Sequence, residues 1–153
     1  MTEPRLTIEL VPKTSFTKNV RNLVSVAEWD RLRHAAYACA GHACLICRET
    51  GPKGVLHAHE VWEYTMPAVA DLPETPGRQR LVGIAALCPA CHNVKHIGFA
   101  GIMGRLEEAF VHLQKVNGWS RDETMDYVEA CLETWKARSK RQWHVDVSLL
   151  GKL

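Results

Sequence analysis

Two cysteine pairs with the same spacing are the residues of this 153-residue sequence best placed to bind a metal ion. Cys44 and Cys47 form one C-x2-C knuckle, and Cys88 and Cys91 form a second. Two residues between thiolates let both sulfurs reach one ion, and two such turns supply the tetrahedral four-sulfur shell that zinc accepts. Ordinary core cysteines or a redox pair are the alternatives, but paired knuckles favour a structural zinc.

Histidines close to these knuckles predict a second metal site. His92 and His96 are four residues apart, so a helix would project both imidazoles from one face. In the segment HAHE, His57 and His59 lie on one face of a strand and Glu60 lies on the other. Two helical histidines opposite a strand histidine would provide three ligands and an open position. A single histidine is more often an ordinary core or surface residue, so the prediction rests on the combination.

Alternating apolar residues predict the strands that would carry these groups. Residues 54–64 and 80–87 are expected to form two central strands, joined by an exposed, proline-rich loop over residues 65–79. Residues 5–11 and 143–149 alternate in the same way and predict short terminal strands, which could pair with each other. The first central strand would then carry HAHE, and the second would lead directly into LCPACH.

Capping signals and helical spacing predict three longer helices. The first begins after the N-cap Ser25 and stops at Gly41. A second follows Gly104 and ends near Gly118. The third begins at a capping box that starts with Ser120. Its predicted buried face consists of Met125, Val128, Cys131, Leu132 and Trp135.

The composition is typical of a soluble globular protein, with 46% hydrophobic and 24% charged residues. The length suits a single domain over residues 1–153. No stretch approaches the ~20 apolar residues of a membrane helix, and the start of the sequence lacks the apolar region of a secretory signal. We therefore expect a cytoplasmic protein without a membrane partner, in which cysteines bind metal rather than form disulfides. Cys39 and Cys131 are predicted to be small core residues.

Together these features resemble the HNH (ββα-metal) endonucleases that contain a structural zinc. The resemblance is carried by a C-x2-C knuckle, a strand with a His-Glu pair and the segment LCPACHNVKH. It covers about residues 40–98, and a helical extension follows over about residues 104–142. The flanking segments are similar to those of uncharacterised bacterial HNH proteins. The resemblance implies an α+β fold with a ββα-metal, treble-clef-like zinc core, flanking helices and short terminal strands. The implied activity is metal-dependent hydrolysis of phosphodiester bonds in DNA by a bacterial or phage protein.

The resemblance also implies a role for each matching residue. The four knuckle cysteines match the structural Zn²⁺ ligands, and His92 and His96 match ligands of a second, catalytic cation. In one register His59 is the third ligand and Glu60 is the general base. In the other register His59 is the base and Ala58 occupies the ligand position. Imidazole ligands favour zinc, nickel or manganese over magnesium, but the identity of the second cation (Mg²⁺, Mn²⁺, Ni²⁺ or Zn²⁺) stays open.

One departure from the family pattern supports a non-catalytic alternative. The family asparagine lies five residues before the second knuckle, where this sequence has Gly83. Asn93 cannot replace it, because it points about 100° away from His92 around a helix. The rival hypothesis is therefore a catalytically inactive, zinc-stabilised nucleic-acid-binding or adaptor protein. A zinc-stabilised protein-interaction module is a third hypothesis.

Cations in three parts of the sequence could bind DNA, which is expected to be double-stranded. The net charge of +2 is small, so such cations must be concentrated locally. Residues 11–27 contain Lys13, Lys18 and Arg21 but no acidic residue. Further expected phosphate contacts are Arg78, Arg80, Lys95, Lys136, Arg138, Lys140 and Arg141. For the cations at the end of the last helix, a solvated helix terminus is the alternative.

Overall fold

The computed structural model describes residues 3–67 and 74–153, and these form the predicted α+β fold. The first two strands form an antiparallel hairpin, and the third runs parallel to the start of the second. The predicted central hairpin is therefore present, although its first strand begins at His57 and not at residue 54. The sheet has the order β1-β2-β3, with β1 (His57–Thr65), β2 (Gly77–Leu87) and β3 (Trp143–Asp146).

The three predicted helices are present among the α-helices of the described residues. Ser25 caps one of them by accepting a hydrogen bond from the Glu28 N–H at 3.1 Å. Gly118 ends another in the left-handed conformation, with φ of 67°, and Ser120 and Glu123 form a complete capping box at the start of the last. None of the helices in the described ranges is long and apolar enough to cross a membrane. The helices are α1 (Val20–Leu23), α2 (Val26–Cys39), α3 (Pro89–Lys95), α4 (Ile97–Ile102), α5 (Leu106–Asn117) and α6 (Arg121–Arg138).

The N-terminal segment does not form a strand, so the prediction of a strand over residues 5–11 is wrong. Leu6 and Ile8 are buried, as the alternation implies. Their backbone N–H groups donate to side chains instead of a neighbouring strand: Leu6 to the Asn117 Oδ1 at 3.0 Å and Ile8 to the Tyr127 hydroxyl at 3.2 Å. The alternation therefore reports packing on the core and not sheet pairing.

The C-terminal tail and the central loop also differ from expectation. The tail pairs with β2 and not with the N-terminal segment, and its strand ends at Asp146, before a 3₁₀ turn over Ser148–Lys152. Because β2 already begins at Gly77, the predicted loop over residues 65–79 is shorter at its end. Residues 68–73 of that loop lie outside the described residues.

α6 buries less of its apolar face than its spacing predicts. Met125 is 53% exposed, and the other four predicted residues of that face are only half-buried. The reason is that α6 covers only the narrow N-terminal segment. The indole N–H of Trp135 donates a hydrogen bond to the carbonyl of Val11 in that segment, at 2.9 Å. Cys39 is exposed and is not a core residue, because α2 buries residues earlier in the helix, at Trp29 and Leu32.

Two groups of buried residues hold the fold together, and the hairpin contributes to both. The larger group packs three knuckle cysteines against apolar side chains such as Leu87, Val94 and Leu113. In the smaller group, Leu81 packs with Trp29 and other residues of α1 and α2. The hairpin therefore contacts the larger core through β2 and the smaller core through both strands.

A glycine in β2 tests this packing. Any β-carbon on Gly77 would overlap the indole ring of Trp143, whereas a β-carbon on Gly83 would meet no heavy atom within 4 Å. We expect Gly77→Ala to lower the free energy of unfolding by about 1–3 kcal/mol through overpacking. The matched control Gly83→Ala should change it by less than about 1 kcal/mol. Chemical denaturation measures both, and equal stability of the two variants would contradict the close approach of Gly77 and Trp143.

Candidate metal centres

The two cysteine knuckles meet in space and form one cluster, called the cysteine cluster below. The sulfurs of Cys44, Cys47, Cys88 and Cys91 all lie within 4.8 Å of one another. The Cys47 and Cys88 sulfurs are 3.6 Å apart. Bonds of ~2.3 Å to a tetrahedral zinc separate sulfurs by ~3.8 Å, whereas a disulfide bond measures ~2.05 Å. The four cysteines can therefore hold a metal ion such as zinc.

Backbone N–H groups stabilise negative charge on these sulfurs, but the negative charges of neighbouring thiolates repel one another. Cys88 is the N-cap of α3, and its Sγ accepts from the Cys91 N–H at 3.4 Å. Burial disfavours the Cys44 thiolate, yet backbone hydrogen bonds lower the pKa of Cys44 to about 7. For Cys91, burial and the charges of the other thiolates raise the pKa. A bound cation would remove this conflict, because it offsets the charge of all four sulfurs.

His112 extends the cysteine cluster to α5, and the sequence analysis assigned it no role. Its Nε2 lies 3.2 Å from the Cys91 sulfur. Burial, together with the nearby charge of Lys115, lowers the pKa of His112, which favours the neutral ring. A neutral imidazole that donates from Nε2 would stabilise a metal-bound thiolate from outside the ligand shell. No short spacing links His112 to the knuckles, so only the fold reveals the contact.

The three predicted histidines also come together and form the histidine group. Each of His59, His92 and His96 offers a ring nitrogen within 4.8 Å of the others. The ring centroids of His92 and His96 are 4.9 Å apart, and that of His59 lies 5.5 and 5.0 Å from them. His59 is on β1, His92 is on α3, and His96 is the C-cap of α3. The spacing of four residues thus places both later rings opposite the strand, as expected.

Glu9 is a member of this site that the sequence analysis missed. Its Oε2 lies 2.6 Å from Nε2 of His59, and its Oε1 lies 2.5 Å from the Lys95 Nζ. Burial opposes the carboxylate, but the hydrogen bonds of His59 and Lys95 and the charge of Lys95 lower the pKa of Glu9 to about 2. An ionised carboxylate only accepts hydrogen bonds, so in the neutral ring Nε2 of His59 carries the proton. Nδ1 of His59 is left as an acceptor, and it is buried without a hydrogen-bond partner among the described residues.

His57 is a second outer partner of the histidine group. Its Nδ1 is 3.0 Å from Nδ1 of His92, so one ring donates to the other. When His92 is the donor, its Nε2 carries no proton and can bind a metal ion. Burial and the neighbouring histidines lower the pKa of His92 to about 3, with a smaller contribution from Arg21. Burial and the charge of His59 also lower the pKa of His96, to about 4. Both rings are therefore neutral near pH 7, which is the form that binds metal ions.

Glu60 lies beside the histidine group but has its own structural contacts. Its Oε1 accepts from the Val20 N–H at 2.8 Å, and its Oε2 accepts from the indole N–H of Trp62 at 3.1 Å. Burial raises the pKa of Glu60. The carboxylate thus attaches α1 to β1, and each oxygen keeps a further lone pair. Gly83, at the position of the family asparagine, lies opposite Val61 in the hairpin.

The histidine group opens into a cleft of about 1110 Å³, called the histidine cleft below. Its walls come from the N-terminal segment, β1, α4 and α6, among other parts of the described chain. In the described ranges, none of the four cations on these walls is ion-paired with a carboxylate. Three carboxylates line the same walls: Glu9 is paired with Lys95 and Glu63 with Arg80, whereas Glu60 accepts from N–H groups. The four cations are Lys13, Lys18, Arg21 and Arg138.

Of the seven cations predicted near residues 78–95 and 136–141, Arg138 is the one that lines the histidine cleft. Lys95 is buried against Glu9, and Arg141 is buried and donates to the Thr75 carbonyl. Lys140 is exposed. The remaining three form surface ion pairs: Arg78 with Asp146, Arg80 with Glu63 and Lys136 with Glu133.

The cysteine cluster leads to a prediction about metal content. Purified protein should contain one zinc per chain, because the four sulfurs match one tetrahedral ion. Cys88→Ser should lose that zinc and lower the free energy of unfolding by several kcal/mol (about 3 or more), since metal binding contributes directly to folding. Cys131→Ser is the matched control and should keep its zinc. Elemental analysis and chemical denaturation measure both effects, and zinc-free wild-type protein would contradict the assignment.

Comparisons with known proteins do not assign this chain to a family. No protein-family model matches it, and neither the curated proteins nor the solved structures include a match. The resemblance to HNH endonucleases therefore rests on the residues of the sequence. The function has to be argued from the geometry of the two clusters and the histidine cleft.

Proposed function

We propose that the protein is a metal-dependent endonuclease of the HNH type, which hydrolyses phosphodiester bonds in DNA. The observation that carries the proposal is the convergence of His59, His92 and His96 within 4.8 Å at a cleft lined by cations. Three imidazoles suit a divalent cation, and positive side chains around them suit a phosphate-containing substrate. The two features together match what phosphodiester hydrolysis requires.

The arrangement of elements supports a ββα-metal core. The hairpin β1–β2 is followed directly by α3, and the histidine group takes one residue from the first strand and two from α3 and its C-cap. The cysteine cluster lies at the start of the same helix. We infer a treble-clef-like unit in which the structural zinc holds α3 against the hairpin. The catalytic cation would lie one turn further along the helix.

The histidine group fits a second divalent cation chemically. Nδ1 of His59 is a buried acceptor without a partner in the described chain, and the low pKa values of His92 and His96 keep both rings neutral. Nitrogen ligands favour zinc, nickel or manganese over magnesium. When bound, such a cation would stabilise the charge that develops on the phosphate oxygens during hydrolysis.

The protein's own side chains would position the phosphate and accept a proton. Arg21 lines the same cleft as the three histidines, so its guanidinium would bind a phosphate there. Glu60 lines the same cleft, and its raised pKa favours proton uptake from an attacking water molecule. In this register His59 is a ligand through Nδ1, and Glu9 keeps the ring in the required tautomer.

One observation favours the inactive alternative as a second candidate function. No side chain occupies the position of the family asparagine, because residue 83 is glycine and a β-carbon there would touch nothing within 4 Å. Without that asparagine, the base lacks the orienting contact that the family uses. A protein that binds DNA through the histidine cleft but does not cleave it would keep both metal centres.

A plasmid-nicking assay with added divalent cations tests the proposal. The wild type should nick supercoiled DNA in Mn²⁺, Ni²⁺ or Zn²⁺. His96→Ala should slow nicking at least about 100-fold. Loss of an outer-shell partner of a metal ligand lowers activity by about 10- to 100-fold, and loss of the ligand itself should lower activity at least as much. His34→Ala, an exposed histidine on α2, is the matched control and should keep full activity. Equal rates for the wild type and His96→Ala would favour the inactive alternative.

The contact between Glu9 and His59 gives a prediction about metal affinity. Glu9→Gln should weaken binding of the second cation about 10- to 100-fold, because the amide no longer provides a charged acceptor for the His59 N–H. Glu107→Gln removes an exposed ion pair with Arg121 and should leave the affinity unchanged. Calorimetric titration of the zinc-containing protein with Mn²⁺ or Ni²⁺ measures both variants. Slower nicking with unchanged affinity would instead assign His59 the role of proton acceptor.

A further inference from the structure

We propose that the histidine cleft accepts an unpaired polynucleotide strand, whose bases stack on exposed aromatic side chains while its phosphates meet the cleft cations. This inference rests on the proposed function for the chemical class of the occupant, and it adds the strandedness of the substrate. It differs from the double-stranded DNA expected from the sequence. The reasons are the exposed rings of the cleft, the contacts of its cations and the depth of the histidine group.

Exposed aromatic rings are the first observation. Phe16 is 60% exposed and Phe99 is 58% exposed, and both line the histidine cleft from different parts of the chain. A phenylalanine ring left in water forgoes a burial free energy that most such residues obtain. Rings in a cleft beside cations are the composition of sites that bind single strands, because every base has a face that can stack. Base stacking would cover these two rings.

The cleft cations give the second observation, because three of them lie over aromatic rings. Lys13 Nζ is 5.1 Å from the ring centre of Trp135, and the guanidinium of Arg21 is 5.3 Å from that of Trp29. Arg138 lies 4.7 Å from the ring centre of Tyr64. Contact with an aromatic face holds a cation in place without cancelling its charge. The positive groups are therefore positioned and still able to bind phosphates.

The depth of the histidine group is the third observation. His59 is 3% exposed, and His92 and His96 are each only half-exposed at most. The bases of a duplex already stack on one another, so a duplex could not use Phe16 or Phe99 without being opened. An unpaired strand is narrow and can bring a phosphate to the histidines while its bases contact the rings. The cleft thus suits one strand better than two.

Binding measurements without added divalent cations test the inference on the zinc-containing protein. The probes are fluorescein-labelled single strands of about 20 nucleotides, as DNA and as RNA, and the matching DNA duplex. Fluorescence anisotropy should show at least about tenfold tighter binding of a single strand than of the duplex. The affinities of the DNA and RNA single strands then show whether the cleft prefers deoxyribose or ribose.

Matched variants distinguish base stacking on the phenylalanine rings from electrostatic attraction of the phosphates. Phe16→Ala and Phe99→Ala should each weaken single-strand binding about 5- to 150-fold, the range for loss of one stacked base. Met125→Ala removes an apolar side chain that is 53% exposed outside the cleft and should have no effect on single-strand binding.

The salt dependence of binding tests the cleft cations. Arg138→Gln should reduce the slope of log K against log salt concentration by about 0.7. Arg121→Gln, also outside the cleft, should leave that slope unchanged.

The outcomes distinguish this inference from the proposed nuclease function. The inference would be overturned if the protein bound the duplex as tightly as the single strand or more tightly, or if it bound neither. It would also be overturned if Phe16→Ala and Phe99→Ala both bound the single strand as tightly as the wild type. Hydrolysis of the small phosphodiester bis(4-nitrophenyl) phosphate, with added divalent cations, tests the chemistry independently. Strand-selective binding without such hydrolysis would refute the nuclease and support a single-strand-binding cleft. Hydrolysis without strand preference would support the nuclease and refute the inference.

Discussion

The charge of four clustered sulfurs is the constraint on which this structure depends. Cys44, Cys88 and Cys91 are buried, and burial together with the other thiolates raises the pKa of Cys91. Such a cluster is stable in its ionised form only with a cation among the sulfurs. The cluster brings the turn after α2 next to the start of α3, and the hairpin lies between these two segments. A cation bound to the four sulfurs would tie both ends of the segment that contains the hairpin and His59.

Helix α3 links the cysteine cluster to the histidine group, because it contains residues of both. Cys91 and His92 are adjacent in α3, so a helix held by its cysteine holds its histidine as well. Outer partners complete the orientation: Glu9 contacts His59 at 2.6 Å, and His57 contacts His92 at 3.0 Å. The contact with ionised Glu9 leaves Nδ1 of His59 as the acceptor nitrogen of the neutral ring. Hydrogen bonds of this kind orient histidine rings and raise their affinity for a metal ion.

The cations of the histidine cleft have different partners from several cations on the outer surface. Those on the outer surface, such as Arg80 and Arg121, pair with carboxylates and contribute little beyond solubility. Those in the histidine cleft lie over rings or, for Lys18, beside the Trp143 carbonyl. The cleft therefore holds four cations without a carboxylate partner among the described residues, although the net charge of the chain is only +2.

The sequence by itself determined the features that depend on short spacings: the paired knuckles, the two histidines four residues apart, the caps of three helices and the central hairpin. Each of these follows from local geometry, which a few neighbouring residues specify. The tertiary structure alone decided that the N-terminal segment brings Glu9 to His59 and that α5 brings His112 to Cys91, because no local pattern encodes contacts between distant segments. It also decided against the N-terminal strand. Alternation reports which side chains are buried, and it does not identify the partners of the backbone hydrogen bonds.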